Sequence, residues 1–286
     1  MQIKRINTLS AGILLLLTTL CSSPAVIAAE QVVTLDITGV RSVANCATQA
    51  VTQLQQSYIL IDAPNPAEAR GVLLLFVGGG GKLAVADAQL SITANNFLLR
   101  SRHMFAAQGY HVAVMDAAND FLSCNGGLRN RRTSGKFTTD MHVVVNDLRS
   151  RYPGLPVWLI GTSRGSTAAA QGAAFISPQV DGLVLTSSVT NPITSTVFDA
   201  PLANITMPTL IAYHENDTCF VSPPAGAEAI KLALTSASQV KVYDFDDGFP
   251  ALSDNGCDAT TPHGFLGNEA KVVKKITKWI SKSISQ

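Results

Sequence analysis

The sequence predicts one α/β domain built on a mostly parallel sheet with helices on both faces. Three observations carry that prediction. Apolar runs of strand length alternate with helical patterns along the chain, the rhythm of a parallel sheet whose crossovers are helices. Some runs, such as Gly71 to Val77 (Gly-Val-Leu-Leu-Leu-Phe-Val), are continuously apolar, as strands covered on both faces must be. One run, Val157-Trp158-Leu159-Ile160, turns through Gly161-Thr162-Ser163-Arg164-Gly165 into an alanine-rich helical stretch.

Residues 1–29 are read as a leader rather than as fold. Lys4 and Arg5 precede an apolar run from Ala11 to Leu20, and small residues follow to Val26-Ile27-Ala28-Ala29. That order matches a secretory signal cleaved after Ala28 or Ala29, and the apolar run is too short to span a bilayer. The expectation is a domain of residues 30–286, periplasmic or secreted, with no stable membrane insertion once the signal is removed. Lys and Arg total 21 and Asp and Glu 20, and two of the bases sit in the leader. So balanced a charge gives no argument for nucleic-acid binding. Of five cysteines, Cys21 falls in the leader; Cys46, Cys124, Cys219 and Cys257 remain. An even count in an exported chain favours disulfides, and no spacing among them suits a zinc site.

Taken in order, Gln31 to Thr38 alternates as an edge strand does, and Ser57 to Asp62 is a second strand before the Pro64-Asn65-Pro66 turn. Gly71 to Val77 is a central strand that ends in Gly78-Gly79-Gly80-Gly81. Helical composition runs from Asp87 to Gln108 and stops at Gly109, a C-cap residue. Tyr110 to Asp116 is the next buried strand, followed by a polar loop to Gly135. Met141, Val144, Val145, Leu148 and Tyr152 share one helical face, closed by Pro153-Gly154. Strands follow at Val157 to Ile160, Gly182 to Leu185, Thr209 to His214 and Val240 to Phe245, with helices over Ala225 to Leu234 and Asn268 to Ile284.

The Gly-x-Ser-x-Gly turn sits where a strand feeds a helix, the context of a nucleophile elbow. Gly161 and Gly165 allow strand and helix to approach closely, and Ser163 lies at the positive end of a helix dipole. The rival reading is a tight glycine turn without chemistry. Sites in open parallel sheets lie at the carboxyl ends of strands, where both Ser163 and the Gly78–Gly81 loop fall.

By these elements the chain resembles the α/β-hydrolase superfamily, in particular its compact esterase and dienelactone-hydrolase-like members. The resemblance covers most of the chain from Gly71 onward, and only the elbow is fairly specific by itself. In this family the nucleophile precedes the acid and the acid precedes the histidine. The resemblance therefore implies Ser163 as nucleophile, Asp217 in His214-Glu215-Asn216-Asp217 as the acid, and His263 in Thr261-Pro262-His263-Gly264 as the base. Glu215 is the alternative acid. His103 and His142 lie within helices, His111 opens a strand, and His214 precedes Asp217, so each fits the base worse.

The family's oxyanion donors are backbone N–H groups, one after the nucleophile and one in the loop after the early central strand. They map here to Arg164 and to a choice among Gly79, Gly80 and their neighbours, with Val77 standing where a histidine is common. A phosphate-cradling reading of the loop lacks the P-loop spacing. With the acid and base so placed, a Cys219–Cys257 bridge would tie their loops together, and Cys46–Cys124 would pin the N-terminal segment. Arg129, Arg131, Arg132 and Lys136 should lie near the site's rim, either as a solvated basic loop or as contacts for an anionic substrate. The segment from Val189 to Met207, where the family often inserts a lid, is too short for a large helical one.

The function these residues imply is hydrolysis of carboxylic esters, small or polymeric, through an acyl-enzyme, with no metal or organic cofactor. Peptide or amide cleavage and thioester hydrolysis are alternatives on the same triad. The alternative from another class is a binding module that keeps the fold without the chemistry.

Overall fold

The computed structural model describes residues 29–85, 95–192 and 195–284. The leader expectation thus lies outside the described residues but for Ala29, as do residues 87–94 of the helix read over 87–108.

Eight strands form one sheet: β1 (Glu30–Asp36), β2 (Gln55–Ile61), β3 (Val72–Phe76), β4 (His111–Met115), β5 (Val157–Thr162), β6 (Gly182–Thr186), β7 (Thr209–His214) and β8 (Val240–Phe245). Their spatial order is β1-β2-β4-β3-β5-β6-β7-β8. β2 is antiparallel to both its neighbours, and every other pairing is parallel. The seven helices described are α1 (Phe97–Arg100), α2 (Arg102–Ala106), α3 (Asn119–Ser123), α4 (Gly135–Arg151), α5 (Arg164–Phe175), α6 (Gly226–Ala233) and α7 (Glu269–Ile284).

The two-residue period of a strand sends alternate side chains to opposite faces, and the core divides accordingly. Val72, Leu74 and Phe76 of β3 join one cluster with Met141, Val144 and Leu148 of α4 and the alanines of α5. Leu73 and Leu75 join the other, with Phe97 of α1, Phe105 of α2, and Val272, Ile276 and Trp279 of α7. Every residue of β3 is buried, which explains its unbroken apolar sequence. Each such side chain taken from water stabilises the fold by roughly 1.5–3 kcal/mol.

Local chemistry moves several element ends from where periodicity puts them. Among the described residues, the helix read over 87–108 is two short helices that meet at Ser101. Asn96 caps the first, its Oδ1 accepting from the Leu98 N–H at 3.1 Å. The second ends at Ala106 with Ala107 as its C-cap, and Gly109, read as the cap, stands two residues beyond at φ 87°. α4 starts at Gly135, earlier than the apolar spacing shows, because the Ser134 hydroxyl accepts from the Phe137 N–H. The polar loop to Gly135 contains α3. In the lid position, the described residues hold two 3-10 turns, Val197–Asp199 and Leu202–Asn204, with Val197 and Leu202 buried in the core beside α5.

The N-terminal segment is held by charge as well as by a disulfide. Arg41 lies between Asp120 of α3 and Asp140 of α4, donating to each carboxylate through two nitrogens. The Cys46–Cys124 bridge closes the same region. No described helix is long and apolar enough to cross a membrane.

Candidate active site

Strands β3, β5, β7 and β8 run parallel, so the segments that follow them gather at one edge of the sheet. Four of these segments supply the candidate residues. Gly78 to Gly81 follow β3, Ser163 follows β5, Asp217 follows β7, and His263 follows β8.

Ser163 has φ 53° and ψ −127°, a left-handed backbone that costs a non-glycine residue about 1–3 kcal/mol. Its N–H is tied to the Thr186 carbonyl of the adjacent β6 at 3.0 Å. Sterics define the motif's other positions. A Cβ on Gly161 would stand 2.2 Å from the Gly165 carbonyl oxygen, and one on Gly165 would stand 2.0 Å from that of Phe76. Only glycine lets α5 start this close to β5 and β3.

Asp217 and His263 are both buried. Asp217 accepts the Cys219 N–H on Oδ1 at 2.8 Å and contacts His263 Nδ1 with Oδ2 at 2.8 Å. A carboxylate only accepts, so the Nδ1 proton belongs to the imidazole, which leaves the Nε2 lone pair free of it. Glu215, the alternative acid, is exposed and has no bond to His263.

The loop carrying His263 is braced from several sides. Thr261 Oγ1 caps the His263 N–H and donates to the Asp258 carbonyl at 2.8 Å, while Ser187 Oγ donates to the His263 carbonyl at 2.8 Å. Arg100 of α1 donates to the carbonyls of Ala259 and Gly264 and pairs with Glu269. The Cys219–Cys257 bridge joins the loop carrying Asp217 to the loop carrying His263.

Ser163 and His263 line one cavity of about 230 Å³ with Gly78, Gly79, Asn96, Thr162 and Ala259. No hydrogen bond directly joins Ser163 Oγ to His263 Nε2 in it, and such contacts commonly tighten only when substrate binds. Gly79, at φ 58°, is in the wall of this cavity, and so is Gly78, whose added Cβ would meet that of Ser163 at 3.0 Å. Gly80 is not; it lies in the wall of an adjoining cavity of about 340 Å³ together with Lys82 and Arg129. Arg164 is the first residue of α5, in the turn whose N–H groups have no acceptor within the helix.

One residue of the basic loop is turned inward, against the expectation for the rim, while Arg129 is exposed and Arg131 and Lys136 are half-buried. Arg132 is fully buried, and its Nη2 donates to the carbonyls of Val77, Gly78 and Gly79 at 2.9, 3.3 and 3.2 Å. Burial, with the charge of Arg164 after it, pushes its pKa down to about 9. Arg131 donates to the Gly127 carbonyl and Lys136 to that of Val43. Arg129 alone of the four borders a cavity next to Ser163's. The inward turn of Arg132 follows from the polar groups on offer: the turn after β3 presents carbonyls that its long cationic side chain can reach. Arg100, Ser187 and Arg132 are supports that local sequence patterns do not mark.

Asp217, Cys219 and His263 also group closely enough to suggest metal ligands. Cys219 is in a disulfide and the other two are bonded to each other, so the set offers no thiolate and no free Nδ1 to an ion.

Comparison with known proteins bears on the fold. Residues 97–202 match the family model described as serine aminopeptidase, S33. No curated protein sequence gives a significant match. Among solved structures, Est1E from Butyrivibrio proteoclasticus is similar with a TM-score of 0.57 and 12% identity, over 83% of this chain and 98% of that one. A Pyrococcus furiosus esterase is similar with a TM-score of 0.55 and 11% identity, over 80% and 87%. Dienelactone hydrolase from Anabaena variabilis is similar with a TM-score of 0.55 and 15% identity, over 90% and 97%. At such identities the structures speak for fold. With the strand order and the elbow at the end of β5, they show that the chain has the α/β-hydrolase fold.

Proposed function

We propose that the chain is an exported serine hydrolase that cleaves carboxylic esters through an acyl-enzyme. The observation that carries the reading is the sharing of one cavity by Ser163, on its strained elbow, and His263, whose Nδ1 is held by buried Asp217.

In this reading His263 Nε2 takes the Ser163 proton as Oγ attacks the ester carbonyl. The tetrahedral oxyanion is stabilised by the N–H groups of Arg164 and of Gly79, whose loop borders the cavity. His263 then protonates the leaving alcohol, and water attacks the acyl-enzyme by the same route. Asp217 keeps the imidazole in the reactive tautomer and balances its transient charge. The two disulfides support an oxidising compartment, in keeping with the leader read at residues 1–29. Esterases among the similar structures favour an ester as the scissile bond.

Amide cleavage is the second reading, favoured by the aminopeptidase description of the matching family model. Purified protein should label with a fluorophosphonate probe and release p-nitrophenol from short-chain esters, and Ser163→Ala should abolish both. Equal or faster turnover of peptide p-nitroanilides would replace ester by amide. Absence of labelling in folded protein would remove the triad and leave the fold as a binding surface.

A further inference from the structure

We propose that Arg132 is a positioning residue for the oxyanion loop, its buried guanidinium aiming and polarising the peptide groups that border Ser163. The inference rests on the serine-hydrolase reading and goes beyond it, because it assigns the electrostatics of the donor loop to a residue outside the triad.

In a trans peptide the C=O and the following N–H point in opposite directions. Arg132 Nη2 binds the carbonyls of Val77 and Gly78. The partner N–H groups of those peptides belong to Gly78 and Gly79, and are therefore turned away from Arg132. Gly78 and Gly79 are the two loop glycines in the wall of the Ser163 cavity. The third carbonyl, that of Gly79, fixes where the loop leaves this wall. A glycine run has no side chains to hold such a shape, and Gly79 and Gly81 both stand at positive φ. The constraint must come from a partner, and Arg132 meets three successive carbonyls at once.

Arg132 is buried, no carboxylate among the described residues pairs with it, and its described hydrogen bonds all go to this loop. Burying an unneutralised cation is costly, and its field is screened little where water is excluded. A peptide whose C=O is bound by a cation is a stronger N–H donor on its other side. The charge thus favours the oxyanion that forms during reaction over the neutral ester that precedes it. Gly81 makes room for the guanidinium, since a Cβ there would stand 3.0 Å from Nη2, and the loop is held further along by the Leu128 N–H on the Gly80 carbonyl at 2.8 Å.

The test compares full-length wild type with Arg132→Gln and Arg132→Lys. Folding is checked by circular dichroism and thermal melting, and active sites are counted by the p-nitrophenyl acetate burst. Arg132→Gln should lower kcat by about tenfold to a hundredfold, on the scale of losing part of one oxyanion donor, with KM within threefold of wild type. Arg132→Lys, which keeps the charge but not the planar fork, should recover part of that loss. Inhibition by an aryl boronic acid, whose serine adduct is tetrahedral and anionic, should weaken in step with kcat, while binding of the neutral alcohol product stays constant. Should Arg132→Gln not fold, Arg132→Lys carries the same readouts. A folded variant with kcat within twofold of wild type, or with KM raised and kcat unchanged, overturns the inference alone. Wild type that neither labels with fluorophosphonate nor turns over overturns the parent reading and this inference with it.

Discussion

Two aspartate–histidine pairs stand at opposite ends of the sheet. His263 Nδ1 meets Asp217 at 2.8 Å beyond the carboxyl ends of the strands, and His111 Nδ1 meets Asp62 at 2.9 Å where β4 begins. Both imidazoles are buried, at 5% and 2% exposure. The carboxylates differ: the Asp217 side chain is 1% exposed and that of Asp62 43%. Their surroundings differ more. His263 shares a cavity with a strained serine, whereas His111 is stacked on Tyr152 with ring centroids 3.8 Å apart, and the Tyr152 hydroxyl donates to the same Asp62. A hydrogen-bonded pair of this kind therefore says little by itself. What distinguishes the two is which end of the strands they occupy and whether a nucleophile stands near.

The largest contrast is expected at Ser163 and His263, the proposed nucleophile and base. Ser163→Ala or His263→Ala should lower kcat by about 10³- to 10⁶-fold, while His111→Ala leaves kcat within about twofold, as steady-state ester hydrolysis will report. Comparable losses at both histidines would mean that the second pair is part of the machinery. Next comes the carboxylate. Asp217→Asn should cost up to about 10⁴-fold in kcat by favouring the wrong tautomer, and Asp62→Asn should cost almost none, a contrast read from the same assay.

The disulfides sharpen the comparison at a smaller scale. Removing Cys219 and Cys257 together by serine substitution should cost about 2–4 kcal/mol of stability and lower kcat several-fold, because this bridge is the covalent tie between the loops of Asp217 and His263. Removing Cys46 and Cys124 should cost a similar stability and leave kcat unchanged. Urea midpoints and turnover measured on both double variants separate the two effects.

The smallest effect expected is one of pH. Burial, opposed by Asp62, pushes the His111 pKa below its ordinary value of 6.5. The unfolded chain then binds the proton more readily than the folded one. The stability this group contributes is complete above about pH 6.5 and is lost as pH falls below it. His111→Gln should flatten that part of the decline, visible as a smaller difference between urea midpoints at pH 7.5 and pH 5.5.

Much of the architecture was legible because the sheet writes itself into local sequence. Buried strands read as apolar runs, and the amphipathic face of α4 reads at helical spacing. What stayed hidden depends on partners distant in the chain. The break at Ser101 could not be seen in a region of uniform helical composition. The choice between Asp217 and Glu215 needed a coordinate for His263. Gly78 was hidden behind its more central neighbours, since four consecutive glycines look alike until one of them meets the Ser163 side chain. Arg132 was read as a rim charge because arginine is usually exposed; only three backbone carbonyls, 53 to 55 residues away in sequence, explain why this one is buried.

The collisions that define Gly161 and Gly165 bear on how such a chain can diverge. Neither position tolerates even one additional carbon, whatever residue stands between them, because the obstacles are main-chain oxygens that every sequence possesses. Ser163 is under no such constraint from its neighbours' bulk. A descendant that abandoned its chemistry would be free to change the serine and would keep both glycines, as a record of how closely helix and strand approach. Of the three invariant letters in Gly-x-Ser-x-Gly, two are thus inherited with the architecture, and the third alone marks the trade.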